Sequence, residues 1–84
     1  MLGKDYIQID EKVECPICGN PLDNFETKEG PGVLMYIDFR DVDHFHCHCE
    51  HCHNLVEFSL KKPVEHDLRK TLTINDYGKK GKIY

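Results

Sequence analysis

Cys15-Pro16-Ile17-Cys18-Gly19-Asn20 and Cys49-Glu50-His51-Cys52-His53-Asn54 each place two thiols three positions apart. Thirty residues, 19 to 48, separate the pairs. Two thiolates at this spacing grip one ion from a tight turn, and two such turns complete a tetrahedral four-sulfur site. Cys15, Cys18, Cys49 and Cys52 are therefore the expected ligands of one structural Zn²⁺. Iron is the runner-up, because a four-sulfur tetrahedron suits both metals. In such a knuckle the residue after the second cysteine often needs positive φ, so that backbone N–H groups turn towards the sulfurs. Gly19 adopts it freely, and His53, at the corresponding place, is among the few side chains that tolerate the left-handed region.

The two pairs also agree beyond their ligands: Asn20 matches Asn54, Leu22 matches Val56 and Asp23 matches Glu57. The pattern reads as two copies of one turn-and-strand unit related by approximate twofold symmetry.

On these residues the chain resembles the zinc-ribbon group, small β-rich domains built on two such knuckles, over roughly residues 13 to 60. The resemblance implies metal ligation by Cys15, Cys18, Cys49 and Cys52 and says little about activity. The group includes nucleic-acid binders, subunits of transcription and modification machines, and short proteins of bacteria and their phages. His53, where the pattern usually has Gly, is the main departure. Rubredoxin is a second resemblance, carried by Cys15 to Gly19. The second knuckle lacks that family's Pro and Gly, and the sequence has no Trp.

Around the second pair lies a dense run of further ligand types, Asp43-His44-Phe45-His46-Cys47-His48-Cys49-Glu50-His51-Cys52-His53. On a strand, Phe45, Cys47 and Cys49 share one face while His44, His46 and His48 share the other. One reading is a second metal site or acid/base cluster built from His46, His48 and Asp41 or Asp43. The preferred reading is a solvated imidazole face, with Cys47 as a small buried hydrophobe beside the knuckle.

Positioning these residues requires short strands and turns. Tyr6, Ile7 and Ile9 predict a brief strand ahead of the first pair. Val33–Phe39, His44–His48 and Leu55–Leu60, rich in β-branched and aromatic residues, predict an antiparallel sheet of three strands. Asn20-Pro21-Leu22-Asp23-Asn24 and Glu29-Gly30-Pro31-Gly32 are turn chemistry. After residue 60 the character changes. Pro63 reads as the first turn of a short helix, with Val64, Leu68 and Leu72 at four-residue spacing and Glu65 placed to pair with Arg69. Asn75 to Tyr84 reads as a basic tail, mobile or ordered only against a partner. The expected fold is thus a small, metal-stapled, mainly β zinc ribbon. It has a zinc-ribbon domain over residues 1–60 and a basic extension over 61–84.

Composition narrows the function classes. With 84 residues the chain is one small domain, and a core of this size needs a staple. No apolar run reaches the roughly 20 residues of a membrane span, and Met1 to Gln8 lacks the apolar stretch of a secretory signal. An odd cysteine count without such a signal points to metal rather than disulfides, and the chain reads as soluble and cytoplasmic. Residues 1–60 hold twelve acids against four bases, whereas residues 61–84 hold seven bases against three acids. The formal net charge of −4 becomes about −6 once four thiols are exchanged for four thiolates and one Zn²⁺. Such a field repels phosphate except near Lys79, Lys80 and Lys82, with Tyr77 and Tyr84 available for stacking.

No phosphate-binding glycine loop, nucleophile elbow or helical H-E-x-x-H is present in the sequence. A closed four-cysteine site also leaves zinc no position for water. The sequence therefore predicts a non-enzymatic module that binds a protein partner through an acidic surface, as adaptor, accessory subunit or inhibitor. Asp38, Asp41 and Asp43 with Tyr36 and Phe39 are its expected contacts. A nucleic-acid-binding ribbon using the basic tail is the alternative, and an iron electron carrier the lesser one.

Overall fold

Strict alternation of side chains produces two neighbouring strands of the sheet. A computed structural model describes residues 3–82, the last of them in backbone only. In it, β4 (His44–His48) buries Phe45 and Cys47 and turns its histidines outward, while β5 (Leu55–Leu60) buries Val56 and Phe58. These strands pair antiparallel, with Phe45 opposite Phe58 and Cys47 opposite Val56. They follow the predicted bounds, because period-two burial against one dry face fixes the register of a strand.

The sheet is larger than the three strands expected. Six strands run in the order β3-β1-β2-β4-β5-β6: β1 (Asp5–Gln8) is the brief lead-in strand, β3 (Tyr36–Asp38) falls within the expected Val33–Phe39, and β2 (Glu26–Thr27) and β6 (Tyr77–Lys82) are additional. Only the β1–β3 contact is parallel. Strand β2 is two residues long and gives no periodic signal. The segment Val33–Phe39 forms a strand only at Tyr36–Asp38. Gly32 and Leu34 ahead of it take φ of 77° and 61°, outside the extended region, and Phe39–Asp41 closes into a 3-10 turn.

The C-terminal stretch departs most from expectation. In place of an α-helix, His66–Thr71 forms a 3-10 helix. With three residues per turn, a four-residue spacing draws no single apolar stripe. Leu68 accordingly stays 56% exposed, Val64 packs at the core margin, and Leu72 is buried only after the helix has ended. Arg69 bonds to Asp43 and to the Arg40 carbonyl rather than to Glu65. The basic segment is β6 and not a free tail. Tyr77 to Lys82 pairs with Leu60 to Leu55 along its whole length. Gly81 permits this, since a Cβ there would sit 2.5 Å from Ile17 Cδ1 in the first knuckle.

One face of the sheet carries the core. Phe45 and Phe58 stack at 4.7 Å between ring centroids, and Phe25 meets both edge-on at 6.0 and 5.7 Å. Phe39, Val42, Leu72, Ile74 and Tyr77 complete the layer. The buried Tyr77 hydroxyl lies 2.8 Å from the carbonyl oxygens of both Phe39 and Val42, which share its proton. The other face is polar. The strand registers align Tyr36, Tyr6, Glu26, His46, Glu57 and Lys80 in one row across all six strands. Among the described residues, no helix is long and apolar enough to cross a membrane.

Candidate metal centre

The four cysteines of the two C-x-x-C steps converge. Their sulfur atoms all lie within 4.8 Å of one another. Across the knuckles, Cys15 Sγ is 3.7 Å from Cys52 Sγ, and Cys18 Sγ is 3.6 Å from Cys49 Sγ. A tetrahedron with metal–sulfur bonds of about 2.3 Å has sulfur–sulfur edges of roughly 3.8 Å, so this donor set fits one ion of zinc size.

Each knuckle is locally determined, and the two are built alike. In the first, the Gly19 N–H donates to the Cys15 carbonyl at 2.9 Å and the Cys15 N–H to the Asn20 carbonyl at 2.8 Å. In the second, the His53 N–H donates to the Cys49 carbonyl at 2.8 Å and the Cys49 N–H to the Asn54 carbonyl at 2.9 Å. Gly19 and His53 have φ of 78° and 60°, so the histidine does adopt the left-handed turn that its position requires. Backbone amides aim at the sulfurs in both: Ile17 N–H at Cys15 (3.4 Å), and the Cys52 and His51 N–H groups at Cys49. The equivalence continues into the flanking chain. Glu14 bridges to Pro21 as His48 pairs with Leu55, and Leu22 bonds to Val13 where Val56 faces Cys47. The inferred duplication is therefore present in the hydrogen bonding.

Geometry rather than electrostatics separates the fifth cysteine from the four, since the thiol of the ligand Cys49 is itself pushed up to about 11: the Cys52 and His51 N–H groups pull it down, but burial and the Cys18 and Cys52 sulfurs outweigh them. The backbone N–H of Asn20 and its side-chain amide, 3.4 Å away, pull the Cys18 thiol down to about 6, which favours the ligating thiolate. Burial pushes the Cys47 thiol up to about 11. Cys47 points to the core face, where its S–H donates to the Asp23 carbonyl at 2.7 Å. The histidines stand on the opposite face. His44 Nδ1 is 3.2 Å from Ser59 Oγ, and His46 Nε2 is 3.6 Å from Glu26 Oε1. Asp43 is held by Arg69. Among the described residues, the four cysteines are the one group of three or more such ligands drawn together.

No protein-family model matches the sequence, and no curated protein or solved structure matches it at a significant level. The paired knuckles and the β architecture are thus read from geometry.

The acidic contacts expected from sequence are only partly on the surface. Phe39 is completely buried and cannot anchor a partner. Asp38 caps the 3-10 turn by accepting from Arg40 N–H at 2.9 Å and also faces the Arg40 guanidinium. Tyr36 is exposed and packs on Tyr6 with ring centroids 5.3 Å apart. Lys79 and Lys80 are exposed on β6, opposite Phe58 and Glu57. The Lys82 side chain and Tyr84 lie outside the described residues. Sequence reasoning missed Asp5, a buried carboxylate that accepts from the N–H groups of Gly32, Met35 and Val33 at 2.8, 3.0 and 3.2 Å. Burial pushes its carboxyl up, but those three donors outweigh burial and hold it below the ordinary carboxylate range. An aspartate ahead of a short strand carries no local signal of this role.

Proposed function

We propose that the chain is a non-enzymatic, zinc-pinned protein-interaction module that works as an adaptor, accessory subunit or inhibitor. The convergence of Cys15, Cys18, Cys49 and Cys52 carries this reading. Four thiolates around one ion close its coordination shell, so the ion would act as a staple and not as a Lewis acid. It would join the loop before β2 to the loop between β4 and β5, two parts of a chain too small to be held by its core alone. A reducing, cytoplasmic compartment suits four ligating thiols. The acidic excess of residues 1–60 favours a basic protein partner over nucleic acid.

Native mass spectrometry of the untagged chain should show one bound divalent ion, and the protein should be colourless. Visible absorption would assign iron and the electron-carrier reading. Affinity capture from nuclease-treated extract should retain a protein partner, with the chelated chain as control. The nucleic-acid reading rests on Lys79 and Lys80, exposed on the two faces of edge strand β6. It requires DNA or RNA binding at physiological salt that falls steeply as salt rises. Weak binding insensitive to Lys79→Glu would discard it.

A further inference from the structure

The two edges of the sheet are guarded differently. β6 carries Lys79 and Lys80, the kind of residue that discourages strand addition. β3 carries none. It begins at the last of four consecutive exposed apolar residues, Val33, Leu34, Met35 and Tyr36, whose relative exposures are 62, 57, 51 and 67%. Single exposed apolar residues are ordinary, but a contiguous run marks an interaction site.

This run is held rigidly. The buried Asp5 carboxylate takes the N–H groups of Gly32, Val33 and Met35. Leu34 N–H donates to the Lys4 carbonyl at 3.1 Å, and Met35 accepts from Tyr6 N–H at 2.8 Å. Leu34 is kept at φ 61°, a left-handed conformation that is strained for a leucine. Strain of this kind persists only where surrounding bonds over-determine it. Here the bonds hold an apolar side chain out in water, which preorganises it for contact.

Among the described residues, no strand pairs with the outer side of β3. In the parallel register Tyr6 faces Tyr36, and Tyr6 N–H bonds to the Met35 carbonyl. Tyr36 and Asp38 therefore turn their own N–H and C=O groups away from β1, to the open edge. Beside this edge, on the polar face, lies a groove of about 790 Å³ walled by Tyr6, Tyr36 and Gln8, with Asp10, Glu11, Asp23 and Asp38 in its lining. Arg40 is bonded to Asp10 and Asp38 and lies 3.9 Å from Glu11, leaving four carboxylates against one guanidinium.

We propose that the β3 edge, with the Val33–Tyr36 run, accepts an extended basic segment of a partner protein as an added strand, which names the partner class for the interaction-module function above. A residue opposite Asp38 projects over the acidic groove and is Lys or Arg. A residue opposite Ile37 projects to the other face, where Ile37 packs against the core margin, and is apolar. The segment thus alternates basic and apolar residues. A second copy of this chain fits poorly, because pairing two β3 edges brings two sets of these carboxylates together.

The test uses the full-length, zinc-loaded chain with fluorescent Lys-Val-Lys-Val-Lys-Val and Glu-Val-Glu-Val-Glu-Val peptides, followed by anisotropy and amide chemical shifts. The lysine peptide should bind saturably and at least about tenfold more tightly than the glutamate peptide, with its largest shifts between Val33 and Asp38. Asp38→Lys should weaken it by about tenfold or more. Because Asp38 also caps a turn, Tyr36→Ala and Leu34→Ser, which remove exposed side chains, are measured beside it and should weaken binding with the ion retained. Equal affinity for both peptides would overturn the proposal, as would a Tyr36-dependent dimer in sedimentation that excludes the peptide. Shifts centred on Glu26 and Glu57 would overturn the edge assignment and leave the interaction-module function standing. No perturbation by either peptide would also overturn the edge assignment, and the capture experiment would then decide the broader function separately.

Discussion

Val13 and Cys47 hold the same position in the two halves of the metal centre. Each lies two residues before the first cysteine of its knuckle, is buried, and faces an aliphatic side chain, Leu22 or Val56. The fifth cysteine is thus a core residue that happens to be a thiol. Cys47→Val should leave the bound ion and the fold intact, and shift stability by less than about 1.5 kcal/mol. Loss of the ion on native mass spectrometry of this variant would make Cys47 a ligand.

Serine at any of Cys15, Cys18, Cys49 or Cys52 should behave quite differently. Metal binding in comparable small domains supplies on the order of 10 kcal/mol of folding free energy. Chelation of the wild-type chain should therefore abolish cooperative melting by circular dichroism, and Cys49→Ser should reproduce that loss. A cooperative melt surviving both treatments would remove the ion from the folding account.

The left-handed turn residues give a paired test. A Cβ at Gly19 would meet nothing within 4 Å, so the cost of Gly19→Ala lies in the backbone alone, roughly 1–2 kcal/mol. His53→Gly relieves the same strain in the second knuckle and should raise the thermal midpoint. Midpoints that move in the same direction for both variants would contradict the equivalence of the knuckles.

Asp5 makes the ordering of the Val33–Tyr36 run depend on pH. Folding lowers its pKa from 3.8, so its contribution is complete above that value and is lost as pH falls through the lower folded value. Asp5→Asn should be destabilised at neutral pH, and its deficit against wild type should shrink below about pH 4. Denaturant titrations of both chains across pH 3 to 7 would show this. The two chains are compared only at pH values where native mass spectrometry shows the ion still bound, because protonation of the four thiols would release it. A deficit independent of pH would assign Asp5 a steric role.

Tyr77 responds at the alkaline end. Burial pushes its hydroxyl up to about 12, so its contribution is full below the ordinary value of 10 and is lost as pH rises from there through the folded value. Tyr77→Phe removes the hydroxyl donor from both carbonyls, leaving Phe39 only the Val42 N–H at 3.4 Å, and should cost about 1–2 kcal/mol at pH 7. Its unfolding free energy should then decline less than that of wild type between pH 9 and 11.

What the sequence by itself determined is what neighbouring residues settle among themselves. A C-x-x-C step with a residue able to take positive φ makes its own turn, so both knuckles, the unusual His53 and the strands His44–His48 and Leu55–Leu60 were legible from spacing and alternation. Four identical ligand types converging on one point also leave little freedom in how the two knuckles meet. Only the tertiary structure decided the rest. Tyr77-Gly78-Lys79-Lys80-Gly81-Lys82 has no apolar alternation, and becomes a strand because β5 offers an unpaired edge and Tyr77 a buried ring. The Val64, Leu68 and Leu72 spacing yielded no α-helix, since Arg69 and Leu72 are fixed by partners near residues 40–43. Phe39 went inside and Asp5 became a buried anchor for a loop some thirty positions away. Pairings across that much chain are chosen by which surfaces lose water together, and no local run of residues encodes the choice.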